Sequence, residues 1–143
     1  MTVDARLTRL QHFFETLSRS SLADIGTVYV DDAGFKDPFN EVRGLPSVRR
    51  VFEHMFDQVT DPRFVVTRVV SQGDHAFLTW DFKFRMNRSP DQPQVIHGAS
   101  HIQFASDGRV AYHRDYWDAA EELYEKLPIL GGLMRFLKSR AAG

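Results

Sequence analysis

Residues 75–88 alternate without a break. Leu78, Trp80, Phe82, Phe84 and Met86 share one face, and Thr79, Asp81, Lys83 and Arg85 share the other. A strand with one apolar and one polar face belongs in an antiparallel sheet that is covered on one side and wet on the other. The flanking segments agree. Residues 63–71 are rich in β-branched side chains, and Gln72-Gly73-Asp74 is turn chemistry. Residues 94–104 alternate again, with Ile96, Gly98, Ser100, Ile102 and Phe104 opposed to His97, Ala99, His101 and Gln103. Residues 87–93 read as a loop, and Ala105-Ser106-Asp107-Gly108 turns into a last strand over 109–117.

The first half carries helical spacing instead. Leu7, Leu10, Phe13, Phe14 and Leu17 fall on one helix face. A second short helix is expected over about 22–30, followed by a turn at Asp31-Asp32-Ala33-Gly34. Residues 35–40 form a short extended piece, because Pro38 pushes Asp37 out of the helical region. A third helix runs over about 47–59, and Asp118 caps a C-terminal one to about 127. Helices first and a meander of strands afterwards predict an α+β fold, with helices packed on the concave face of a curved antiparallel sheet. A chain of 143 residues without repeats or linkers reads as a single domain, its core over about 7–118 and a helical tail over 119–140.

Composition narrows the function. Eighteen basic and nineteen acidic residues give a net charge of -1, so no basic footprint points to nucleic acid. The absence of cysteine removes disulfides, thiol catalysis and cysteine-ligated metals. No signal-peptide core and no bilayer-length apolar run is present, so a cytoplasmic location is expected. Twelve Phe, four Tyr and two Trp are many for this length. They suit a core with a large apolar cavity, or simply a well-filled core.

The chemistry concentrates at His113-Arg114-Asp115-Tyr116-Trp117-Asp118. Alternation points His113, Asp115 and Trp117 one way, and Arg114 and Tyr116 the other. An acid beside a histidine and an indole is costly on a dry face, because an ionised carboxylate needs partners. The pattern makes sense on a face that lines a ligand cavity. His113 and Asp115 can also be a buried, mutually satisfied pair.

The element order resembles the nuclear transport factor 2-like superfamily, and within it the SnoaL-like and ketosteroid-isomerase-like branch. The resemblance rests on Tyr29-Val30-Asp31-Asp32-Ala33 leading to Asp37-Pro38, on Ser106-Asp107-Gly108-Arg109-Val110, and on the 113–118 segment. It implies a cone-shaped α+β domain, a small-molecule pocket and frequent dimers. In similar steroid isomerases the aspartate before a proline is the base, which here is Asp37. The positions similar to their enolate-stabilising donors hold Phe13, which cannot donate, and Ser100, which donates one weak bond. Asp37 can equally be a turn carboxylate satisfied by backbone N–H groups. The segment 114–118 is similar to one in epoxide hydrolases of this fold, but Trp80 and Phe82 stand where a water-activating arginine and acid belong. In similar polyketide cyclases a histidine and an aspartate act as acid and base. Asp115 with His113 fits that better than Asp115 with His101, which alternation turns outward.

These resemblances imply catalysis by Asp37, Asp115 and His113, and a ligand wall of Phe13, Tyr29, Met55, Trp80, Phe82, Ser100 and Trp117. The expected reaction is proton abstraction next to a carbonyl of an apolar, steroid- or polyketide-like substrate. The alternative is a non-catalytic ligand-binding or dimerisation module. No cofactor and no metal are expected, since His97 and His101 lie too far apart along one strand to chelate easily. Those histidines would rather serve a homodimer through the outer sheet face. The apolar, basic tail over 127–140 would pack on its own or a partner subunit rather than on a membrane.

Overall fold

The computed structural model describes residues 4–122. The tail beyond them, with its expected packing and any membrane contact, lies outside the described residues. Helix α1 (Ala5–Glu15) starts where the Asp4 carboxylate accepts the Arg6 N–H at 3.0 Å, and it buries Leu10, Phe13 and Phe14. A 3-10 helix (Ser20–Thr27) buries Leu22 and Ile25. Then follow β1 (Tyr29–Lys36), β2 (Glu41–Arg43), α2 (Leu45–Gln58), β3 (Val59–Gln72), β4 (His75–Met86), β5 (Ser89–Phe104), β6 (Val110–Tyr116) and α3 (Ala119–Glu122).

The six strands form one curved sheet in the order β2-β1-β6-β5-β4-β3. All neighbours are antiparallel except β1 and β6, which run parallel. The helices lie against one face, α2 on β1 and α1 on β3. Between them and the sheet sits a core that includes Leu10, Ile25, Tyr29, Val48, Leu78 and Ile102.

Three segments depart from the sequence expectation. Residues 29–36 form a strand, although 31–34 have turn composition. The strand tolerates them as a bulge: β6 advances from Val110 to Tyr112 while β1 advances from Tyr29 to Gly34. Strand β3 begins at Val59, before the expected start, because the Asp61-Pro62 pair sits in an irregularity between Thr60 and Arg63. Strand β5 begins at Ser89, inside the expected loop. Its prolines, Pro90 and Pro93, lie before Ala99, where pairing with β6 starts, so a missing N–H interrupts no ladder on that side.

One further irregularity matters for the site. In the β5–β6 pair, Phe104 faces Val110 but Gln103 faces Tyr112, so Ala111 is an inserted residue. The bulge lets both Val110 and His113 point inward, and both are buried.

Candidate active site

Alternation along β6 brings His113 and Asp115 to the inner face, and the β5–β6 register sets Ser100 directly opposite Asp115. Register between β4 and β5 sets Trp80 opposite Gly98, two residues from Ser100. These placements build one hydrogen-bonded chain. The Trp80 indole N–H donates to Ser100 Oγ at 2.9 Å. Ser100 donates to Asp115 Oδ1 at 2.6 Å, and His113 Nε2 lies 2.5 Å from the same oxygen. The Tyr29 hydroxyl lies 2.7 Å from His113 Nδ1.

The donor inventory fixes the direction of the bonds that lead to the carboxylate. An indole N–H can only donate, so Ser100 must pass its own proton to the carboxylate. Burial, with the Asp115 charge as a smaller contribution, pushes the Tyr29 phenol well above its usual range. Tyr29 therefore keeps its proton and meets Nδ1, while Nε2 faces an acceptor-only carboxylate and so carries a proton aimed at Asp115. Two arms, Trp80–Ser100 and Tyr29–His113, thus converge on Oδ1 of one carboxylate. Among the described residues its Oδ2 takes no hydrogen bond.

Two cavities meet at this carboxylate. A small one of about 20 Å³ is lined by Phe14, Phe52, Phe64, Val66, Trp80, Ser100, His113 and Asp115. A larger one of about 190 Å³ opens beyond it, with Met55, Phe82, Phe84, Met86, Trp117, Asp37 and Asp115 in its wall. The Asp115 side chain is 16% exposed and that of His113 only 3%. The acid borders the cavity and the histidine stands behind it.

Asp37 also borders the larger cavity, but its own loop holds it. Oδ1 accepts the Phe39 and Asn40 N–H groups at 2.8 and 2.7 Å and the Asn40 side-chain amide at 3.0 Å. This is an Asx turn closing the β1–β2 connection. Phe13 and Tyr29 line neither cavity. Phe13 packs edge-on against Tyr29 and Phe52, and Tyr29 is fully buried behind His113. His101 faces outward, 2.9 Å from His75 and stacked on Phe77 at 4.6 Å. Among the described residues no three His, Asp or Glu side chains converge as a metal site. No described helix is long and apolar enough to cross a membrane.

Sequence reasoning missed three contributors. Phe52 and Phe64 join the aromatic wall from α2 and β3. Their signal was present, in the apolar stripe of α2 and the β-branched run of β3, but nothing local aimed them at Asp115. The third is Gly98. A Cβ there would sit 2.4 Å from the Trp80 ring, so only glycine lets the indole lie across β5 and reach Ser100.

Helices packed on a curved sheet around an aromatic cavity, with an inward acid on the last strand, make up the nuclear transport factor 2-like fold. The model of the SnoaL-like domain matches residues 10–113, and the chain belongs to that family. No curated protein matches the sequence. Solved structures share the fold at low identity. One is a protein with a ketosteroid isomerase-like fold from Catenulispora acidiphila DSM 44928, in complex with trimethylamine. It is 14% identical, with 85% of this chain and 92% of that chain covered and a TM-score of 0.72. An epoxide hydrolase of the LEH-like type from M. tuberculosis is 15% identical, covering 93% and 96%, with a TM-score of 0.69. A candidate SnoaL-like polyketide cyclase from Shewanella denitrificans OS-217 is 14% identical, covering 85% and 98%, with a TM-score of 0.69.

Proposed function

We propose that the protein is an acid–base enzyme of the isomerase or cyclase type, acting next to a carbonyl of an apolar substrate. Asp115 is the base. The observation that carries this is the two-armed grip on Oδ1, which leaves Oδ2 as the basic atom offered to a guest. Oδ2 takes a proton from the carbon beside the carbonyl, and the C–H electrons move into the enolate. The same proton then returns to another carbon, or the enolate carbon attacks a second carbonyl and the new alkoxide takes the proton. Both outcomes regenerate Asp115, and both conserve atoms. His113 is a positioning residue in this scheme: its Nε2–H fixes the carboxylate, and Tyr29 fixes the imidazole. Asp37, spent on its own turn, contributes charge rather than proton transfer.

A second reading, ligand binding without turnover, has its own support. Trp80 and Ser100 each donate their one proton to a protein partner, so neither offers a proton to an enolate oxygen. One experiment separates the two. A panel of small β-diketones and unsaturated ketones is incubated in deuterated buffer, and deuterium at the α-carbon is followed by NMR. Enzyme-dependent exchange that falls at least about a hundredfold in Asp115→Asn supports the base. Binding of the ketones with exchange no faster than buffer alone supports the carrier reading and removes the enzyme.

We also propose a homodimer through the outer sheet face. Val70, Phe77, His101 and Arg114 form one row across four strands there, and Phe77 is 52% exposed. A Phe77→Glu variant should run as a monomer in sedimentation; an unchanged species in that variant, or a wild-type monomer, removes the interface.

A further inference from the structure

The charge pattern of the larger cavity says more about its guest than the acid alone does. The described residues that line it include Asp37 and Asp115 but no lysine and no arginine. Neither carboxylate has a lysine or arginine partner among the described residues. Asp37 is held by two backbone N–H groups and an amide, and Asp115 by a hydroxyl and the His113 imidazole. The two described cations of the adjoining groove, which shares Asp37, Asp115 and Trp117 with the cavity, are engaged elsewhere: Lys36 lies 3.6 Å from Glu41, and Arg114 sits 4.5 Å over the Tyr116 ring. Neither lines the cavity itself. His54, at the mouth, is 3.0 Å from the Gln58 amide.

The rest of the wall is π surface. Phe39 and Trp117 meet edge to face at 5.6 Å, and Phe64 stacks on Phe82 at 4.5 Å. Aromatic faces carry negative potential, which attracts cations and disfavours anions. A carboxylate against such walls gains most from a cation that is itself weakly hydrated. The volume, about 190 Å³, is below the range of about 300–1,000 Å³ usual for drug-sized ligands.

We infer that the ligand is a small monocationic amine, a tertiary or quaternary ammonium on an apolar body. The ammonium lies against Trp117 and Phe39 within the field of Asp37, and the apolar body reaches inward past Phe82 toward Asp115. The inference rests on the reading above for the location of the site, not for proton transfer. It also assigns Asp37 a task that its turn leaves open, since three of its loop bonds fall on Oδ1 and, among the described residues, only the Asn40 amide reaches Oδ2.

Trp80 and Trp117 are the two tryptophans of the chain and both line the cavity, so intrinsic fluorescence reports on a guest. The probes are benzyltrimethylammonium, its uncharged carbon isostere neopentylbenzene, and phenylacetate. The cation should bind at least about tenfold more tightly than the isostere, and phenylacetate should not bind. Asp37→Asn, which keeps the oxygen that accepts the loop N–H groups, should reduce that preference several-fold. Trp117→Leu, which keeps apolar bulk, should weaken the cation and spare the isostere. Equal binding of cation and isostere, tighter binding of phenylacetate, or no response to any probe would overturn the inference. Ketone exchange without cation preference sinks this inference alone. Cation preference without exchange sinks the proton-transfer reading alone.

Discussion

Gly98→Ala tests whether the site is assembled as described. Gly98 lies directly across from Trp80 in the β4–β5 ladder, and its backbone is not in the left-handed region. Conformational freedom is therefore not why glycine is there. An added Cβ would fall 2.4, 2.6 and 2.8 Å from three indole carbons, well inside van der Waals contact. The indole must tilt away or the strands must part. Overpacking of this kind costs about 1–3 kcal/mol. Tilting also breaks the bond to Ser100 and leaves a buried indole N–H unpaired, a further loss of about 1–3 kcal/mol. The sum is about 2–6 kcal/mol. At roughly 3 °C per kcal/mol for a chain of this size, that is a fall in Tm of about 6–18 °C. Thermal unfolding by circular dichroism measures it, and a double-mutant cycle identifies the cause. In a Trp80→Ala background the same substitution should cost under about 1 kcal/mol, or stabilise slightly by restricting the unfolded chain. A Gly98→Ala protein within about 0.5 kcal/mol of wild type, or an equal cost in both backgrounds, would refute the close approach as the reason for this glycine.

Other perturbations read other parts of the molecule. Tyr29→Phe removes the donor behind His113 and should cost about 1–3 kcal/mol in urea unfolding, because Nδ1 is left buried and unpaired; wild-type stability after this change would break the Tyr29 arm. The same phenol predicts an alkaline effect. Its folded pKa is raised, so its contribution is complete below the unfolded value near 10 and is lost as pH climbs beyond it. Tyr29→Phe should flatten that part of a stability–pH curve. His101 is shifted the other way, first by burial and then by the neighbouring His75 charge. The unfolded chain takes up the proton first, so stability should fall as pH drops through 6.5 and level off below the folded value. His101→Gln should flatten that slope, and an unchanged slope would assign it to another group. Asp115→Asn should keep the fold, since an amide oxygen can still accept from Ser100 and His113, while α-proton exchange disappears.

Much of this architecture could be read from residue order, and the failures share a cause. The alternation in β4 and the core of β5 matched the observed faces because both strands bury one side only, so period two is imposed by solvent. Strand β1 could not be read that way. Asp31 to Gly34 has turn composition, and what makes it a strand is pairing with β6, more than seventy residues away, around a bulge. The start of β5 was hidden for a related reason: two prolines argue against a strand unless one edge is unpaired, and that depends on where β6 ends.

The active-site chain divides along the same line. Alternation gave the faces, which is why His113 and Asp115 were identified together and His101 was set aside. It could not give partners, because a partner depends on register. Ser100 meets Asp115 only because those two residues are paired across β5 and β6, and Trp80 reaches Ser100 diagonally across the empty position at Gly98. Tyr29 lies further still from local inference: it reaches His113 across the single parallel pairing in the sheet. Yet these three distant residues determine the chemistry. Without Tyr29 the imidazole loses the partner that holds its far nitrogen, and without Trp80 the serine is free to turn its hydroxyl elsewhere. Asp115 would then accept from fewer donors, and its two oxygens would lose the asymmetry that leaves Oδ2 for the substrate. The proposed base is therefore specified by three pairings of the sheet, and a change that shifts any one register by a residue should abolish the proposed proton transfer while His113 and Asp115 stay in place.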